Sequence, residues 1–183
     1  MPCPTGLTGI ASDPRRAFTI LEVMVAVFIL AILAAFLLPN LGSFTDRARE
    51  TQCMANLRSI HLGLSSYLSD HGRIWPQGPS PANEGPWSEF WLKTLEPYHV
   101  TPETWQCPGI TALLKKENAS PGEIPPLHYL PTMFDDQPGT AYRWPTQPWL
   151  IERANAHGRG TLICFPDGSV KPLSKVLAEQ GQR

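Results

Sequence analysis

Cysteine is scarce: four in 183 residues, too few for a small fold held together mainly by disulfides. An excess of either charge is missing too, with 15 Lys and Arg against 16 Asp and Glu and a net charge of −1. Nothing in that balance suggests nucleic acid or an anionic surface as a partner. Proline is absent from residues 40–74, although the chain holds 20, and most of them lie at or beyond Trp75 together with all six tryptophans. No repeat and no low-complexity tract is present. The chain is therefore two unlike parts within the length of one domain and an appendage.

What is present begins with residues 1–17, MPCPTGLTGIASDPRRA, whose Pro, Gly, Ser and Thr content ahead of Arg15-Arg16 reads as a targeting leader rather than as fold. Val23 to Leu38 is a run of uncharged, almost wholly apolar residues. Counted from Phe18, the segment makes about 32 Å of helix at 1.5 Å per residue, enough to span a bilayer. The two arginines precede it, so the positive-inside tendency leaves the amino terminus cytoplasmic and sends the rest of the chain to the far side. Glu22 is the anomaly, because a carboxylate at depth costs roughly 2.5 kcal/mol or more. A simple anchor has no use for it, although a carboxylate in the first turn of a helix is favoured by the macrodipole. An ordinary secretory signal and a twin-arginine signal are the rival leaders; Glu22 and the length of the apolar run argue against both.

Arg15-Arg16-Ala17-Phe18-Thr19-Ile20-Leu21-Glu22-Val23-Met24-Val25 resembles the cleavage and methylation signature of type IV pilins and type II secretion pseudopilins. The resemblance implies cleavage between Ala17 and Phe18 by a prepilin peptidase, N-methylation of Phe18, and Glu22 as the acidic residue four positions on. Ala17 stands where the family usually has glycine. The physical reading of Glu22 agrees: cleavage creates an ammonium on Phe18, and a carboxylate on a neighbouring subunit neutralises it where water is scarce. Phe18 and Glu22 are thus the assembly residues.

Pro39 follows the apolar run, at a depth where pilins often carry a proline; alternatively Pro39-Asn40 ends the anchor. Residues 41–70 resume helical character, with Met54, Leu57, Ile60, Leu64, Tyr67 and Leu68 at 3 and 4 spacing, which predicts a helix to about Ser69, stopped by Asp70-His71-Gly72. Beyond it, short helices are expected near 87–95 and 174–180. Thr161–Phe165, Pro166-Asp167-Gly168 and Ser169–Leu173 read as a β-hairpin turned by Asp167-Gly168.

His157 followed after nine residues by Asp167-Gly168 resembles the H-x9-D-G signature of prepilin-type proteins from planctomycete and verrucomicrobial bacteria. Cys53-x-x-Asn56-Leu57-x-x-Ile60 and Gln106-Cys107-Pro108 resemble two further stretches of the same set. His157 and Asp167 do not complete a metal or catalytic site, so His157 is read as a brace of the hairpin and Asp167 as a turn former. No catalytic residue, metal or cofactor is expected. Asp135-Asp136 could meet calcium, but two carboxylates are common in any surface turn. Cys107 could pair with Cys53 or with Cys164. The tryptophans fill a core or form a ligand-contacting face, and a small Pro-rich domain needs them inside.

These readings predict an α+β, pilin-like fold with a long N-terminal transmembrane helix packed on a small antiparallel sheet. The expected divisions are a leader at 1–17, a membrane part at 18–39, a soluble continuation at 40–70 and an extracytoplasmic globular part at 71–183 with the hairpin at 161–173. The expected function is a pseudopilin-like, non-enzymatic subunit of a type II secretion or type IV pilus-like filament, sited in the inner membrane. Its partners would be the prepilin peptidase, other pilin-like subunits, an inner-membrane assembly platform and lipid. The alternatives are a surface pilin-like protein binding a ligand through its tryptophans, and a membrane-anchored hydrolase using His157.

Overall fold

The computed structural model describes residues 19–37, 41–120 and 125–181. Residues 1–41 and 42–183 form two compact units. The first contains helix α1, Ile20–Leu37. Thr19 opens it: its carbonyl accepts the Val23 N–H and its hydroxyl accepts the Glu22 N–H at 3.2 Å, so Thr19 is the N-cap and Glu22 the third residue of the helix, as in a capping box. Every residue from Thr19 to Ala35 is exposed.

The expected membrane part, residues 18–39, is described only over residues 19–37. Among the described residues no helix is long and apolar enough to cross a membrane. Ala17, Phe18 and Pro39, which carry the expected cleavage, methylation and bend, lie outside the described residues.

The second unit is α+β. Helix α2, Leu41–Asp70, buries Cys53, Leu57, Ile60, Leu64 and Leu68 completely, at the spacing that puts them on one face; each of the larger side chains contributes about 2 kcal/mol by leaving water. Gly63 lies on the same helix where a Cβ would run into Val100, so the 98–100 segment packs directly on the helix backbone. The helix stops at Gly72 and Arg73, both at positive φ, with the Arg73 N–H returning to the Leu68 carbonyl at 2.7 Å.

Helices α3 (Glu84–Leu95) and α4 (Pro108–Lys116) follow, with Pro108 at the first turn of α4, where a missing N–H costs nothing. Strands β1 (Tyr129–Pro131), β2 (Leu150–Glu152), β3 (Leu162–Cys164) and β4 (Val170–Pro172) form an antiparallel sheet in the order β1-β2-β3-β4. A short helix α5 (Thr140–Arg143) lies between β1 and β2, and α6 (Leu173–Gln180) follows β4. Trp75, Trp87, Trp91, Trp105 and Trp149 are buried in a single core that joins α2, α3 and the sheet. Trp144 is the exception, at 54% exposure. The indoles are therefore mainly structural, with Trp75 in edge contact with Trp91, Phe134 and Trp149.

Candidate functional site

Two places carry the residues singled out by sequence. At the first, the start of α1, Glu22 sits in the first turn with its backbone N–H on Thr19. The carboxylate is thus placed by a helix cap while the apolar side chains around it, among them Leu21 and Met24, are exposed. An apolar helix without an apolar partner is a surface for lipid or for other helices.

The second place lies in the larger unit. Cys53 of α2 and Cys107, just before α4, form a disulfide with Cα atoms 5.2 Å apart; Cys164 is free and buried. Three residues after Cys53, the Asn56 amide donates to the Gln106 carbonyl at 2.9 Å. The two weak sequence resemblances, at 53–60 and 106–108, are therefore one clasp in space. His128 closes it from the other side, its Nδ1 accepting the Cys107 N–H at 2.9 Å. Burial pushes the His128 imidazole below its ordinary value, which keeps the ring neutral and Nδ1 available as an acceptor.

His157 joins the same cluster. Its Nε2 lies 3.1 Å from Oε1 of Glu152 and 3.5 Å from Sγ of Cys107, and its side chain is nearly inaccessible. The other Glu152 oxygen accepts the Leu162 N–H at 3.1 Å. His157 is thus hydrogen-bonded to a carboxylate that links β2 to β3, with the disulfide as its second neighbour. Gly109 makes room for the ring: a Cβ there would meet His157 Cε1 at 2.5 Å.

Asp167 goes elsewhere. Its carboxylate accepts the Ser169 N–H at 2.9 Å, and hydrogen bonding from the Ser169 side chain and then its backbone, with the Lys171 charge contributing less, holds its pKa below the ordinary range. Gly168 takes a positive φ of 76°, and the turn docks on α2 through His61, whose Nε2 meets the Pro166 carbonyl at 3.0 Å. The structure therefore separates the two ends of H-x9-D-G: His157 serves the disulfide cluster, Asp167-Gly168 the hairpin. Asp135 and Asp136 both accept from Gln137 in an exposed loop.

Glu152 and His128 were missed by sequence reasoning. Glu152 faces the same side of β2 as Leu150, so an acid in phase with a core leucine was the available signal. His128 carried none, since it precedes a strand of only three residues.

Residues 13–38 match the prokaryotic N-terminal methylation motif. The chain is thus similar at its N-terminus to pilin-like proteins. It is 36% identical over 62 residues to the type IV major pilin protein PilA of Myxococcus xanthus, covering 33% of this chain and 28% of that protein. Over 159 residues it is 26% identical to the type II secretion system core protein G of Dickeya chrysanthemi, covering 84% and 79%. To the core protein G of Pseudomonas aeruginosa it is 39% identical over 57 residues, covering 31% and 40%. The chain thus spans less than half the length of the Myxococcus and Pseudomonas relatives. No solved structure matches it.

Proposed function

We propose that this pilin-like protein is a structural subunit, a pseudopilin or pilin, that assembles through α1 into a filament of the type II secretion or type IV pilus kind. The observation that carries the reading is the conjunction at residues 18–38: a methylation motif, a capped helix with Glu22 in its first turn, and an apolar surface exposed along its length. The long match to a core protein G favours the secretion side.

In this reading a prepilin peptidase cuts between Ala17 and Phe18, Phe18 is methylated, and the segment from Phe18 to Leu38 holds the subunit in the inner membrane. Pro39 marks the exit from the lipid, and residues 40–70 continue as the soluble helix. The larger unit lies outside the cytoplasm, which the Cys53–Cys107 disulfide supports, since such bonds persist in oxidising compartments. Glu22 then meets the Phe18 ammonium of an adjoining subunit, and the assembly platform feeds subunits from the membrane into the filament. No catalytic role is assigned to His157, whose ring is taken up by Glu152 and Cys107.

Terminal mass spectrometry of the protein isolated from membranes tests the processing step. The expected result is a chain beginning at methylated Phe18; an intact Met1 end, or a new end beyond Leu33, contradicts it.

A further inference from the structure

Four potential ligand atoms meet in the disulfide cluster: Sγ of Cys53, Sγ of Cys107, a Glu152 oxygen and a His157 nitrogen, all within 4.8 Å of one another. Cys53, Cys107 and Glu152 are essentially inaccessible, as is the His157 side chain. We propose that, when the Cys53–Cys107 bond is in its dithiol form, these four residues bind one zinc-class divalent cation, so that the same clasp is closed by a metal or by a disulfide but never by both.

The donor set suits that cation. Two thiolates, an imidazole and a carboxylate are all zinc ligands, and four protein ligands leave no position for water, so the site is structural. Two of the distances already present are close to edges of the required tetrahedron. With Zn–S of about 2.3 Å and Zn–N or Zn–O of about 2.0–2.1 Å, the S···N edge is about 3.6 Å and the N···O edge about 3.3 Å. The protein has 3.5 Å from Cys107 Sγ to His157 Nε2 and 3.1 Å from that nitrogen to Glu152 Oε1. The sulfur atoms must separate, to about 3.8 Å by the same geometry.

The surroundings of the ligands point the same way. The Leu162 N–H holds one Glu152 oxygen and leaves the other facing the sulfurs, as outer partners of metal carboxylates do. A buried carboxylate facing only an imidazole lacks a firm positive partner, and a divalent cation supplies one. Gly109 leaves room for the His157 ring, whose Nε2 faces Glu152 and Cys107. A surface recess whose lining includes Gly109 and His157, together with Asp46, Arg49 and Lys116, borders the cluster.

Exchange between the two states is balanced. A disulfide oxidant such as oxidised glutathione takes two electrons from the pair of thiolates. The Cys53–Cys107 bond forms, the glutathione S–S bond breaks, two protons come from solvent, and the cation leaves because bonded sulfurs are no longer thiolate ligands.

The test uses the full chain in detergent, without a polyhistidine tag and in a Cys3→Ser background, reduced with a phosphine. Co2+ added to the reduced chain is expected to give thiolate charge-transfer and tetrahedral ligand-field bands at one ion per chain. Zn2+ should displace it, and oxidised glutathione should release the zinc in step with disulfide formation. His157→Gln should weaken Co2+ binding at least about tenfold. Absence of the charge-transfer band in the reduced chain overturns the proposal, as does equal binding by the oxidised chain; neither comparison depends on a substituted protein folding.

Discussion

The Thr19 hydroxyl accepts the Glu22 N–H at 3.2 Å, so the acid that a membrane anchor does not need is also the third residue of a capped helix. This gives Glu22 two separable properties. A glutamate or a glutamine suits the third position of a capping box, but only the glutamate offers a charge to a neighbouring amino terminus. The distinction decides which substitution probes assembly and which merely disturbs the helix start.

The Glu152–His157 pair predicts a stability effect in the disulfide form. Glu152→Leu leaves the Leu162 N–H and the His157 ring without their buried acceptor, a loss of about 1–3 kcal/mol for each unsatisfied group. The milder His157→Gln keeps a donor in reach of the carboxylate and should cost less. Melting of the oxidised chain followed by circular dichroism checks the order: Glu152→Leu should melt several degrees below wild type, about 2–4 °C for each kcal/mol, with His157→Gln between them. Equal melting of all three chains contradicts the brace.

Burial pushes the Cys164 thiol up to about 12, with the Asp167 charge adding to the shift. The native state then keeps a proton that the unfolded chain loses near its ordinary value of 9.0, so this residue's contribution to stability is complete below about pH 9 and declines as pH rises toward 12. At pH 8 the thiolate fraction should be about a thousandfold lower than in the unfolded chain. Peptide-level mass spectrometry after iodoacetamide treatment reads this directly. Cys164 should be alkylated only after denaturation, and rapid labelling of the native chain counts against the buried thiol.

Much of this structure could be seen in the chain before its coordinates. The stripe at Leu57, Ile60, Leu64 and Leu68 repeats at helical spacing and is the buried face of α2. Asp167-Gly168 demands a turn, and β3 and β4 pair around it with Leu162 opposite Pro172. The remaining strands were silent, because β1 and β2 are only three residues long and, unlike the equally short β3 and β4, are not joined by an Asp-Gly turn. The cluster around Cys107 was illegible for another reason: Cys53, Cys107, Glu152 and His157 come from four separate stretches of chain, and only tertiary packing joins them. The sequence left Cys107 a choice between Cys53 and Cys164; α2 carrying Cys53 to the start of α4 settles it.

The proposed role of α1 rests on the Glu22 charge, and a comparison of three chains isolates it. Wild type, Glu22→Gln and Glu22→Leu are expressed in the same strain, and each is followed by membrane fractionation and by crosslinking of sheared filaments. Glu22→Gln keeps a polar side chain at the third helical position without the charge, and Glu22→Leu keeps only the backbone N–H that Thr19 accepts; each should enter the membrane at least as well as wild type, because a carboxylate opposes insertion. Losing one partner of a buried charge pair costs about 3–5 kcal/mol, so incorporation of both variants should fall at least tenfold, by the usual conversion of about 1.4 kcal/mol per decade. Wild-type crosslinking by Glu22→Gln would show that the residue serves only the helix start, and would contradict assembly through a Glu22–Phe18 ion pair.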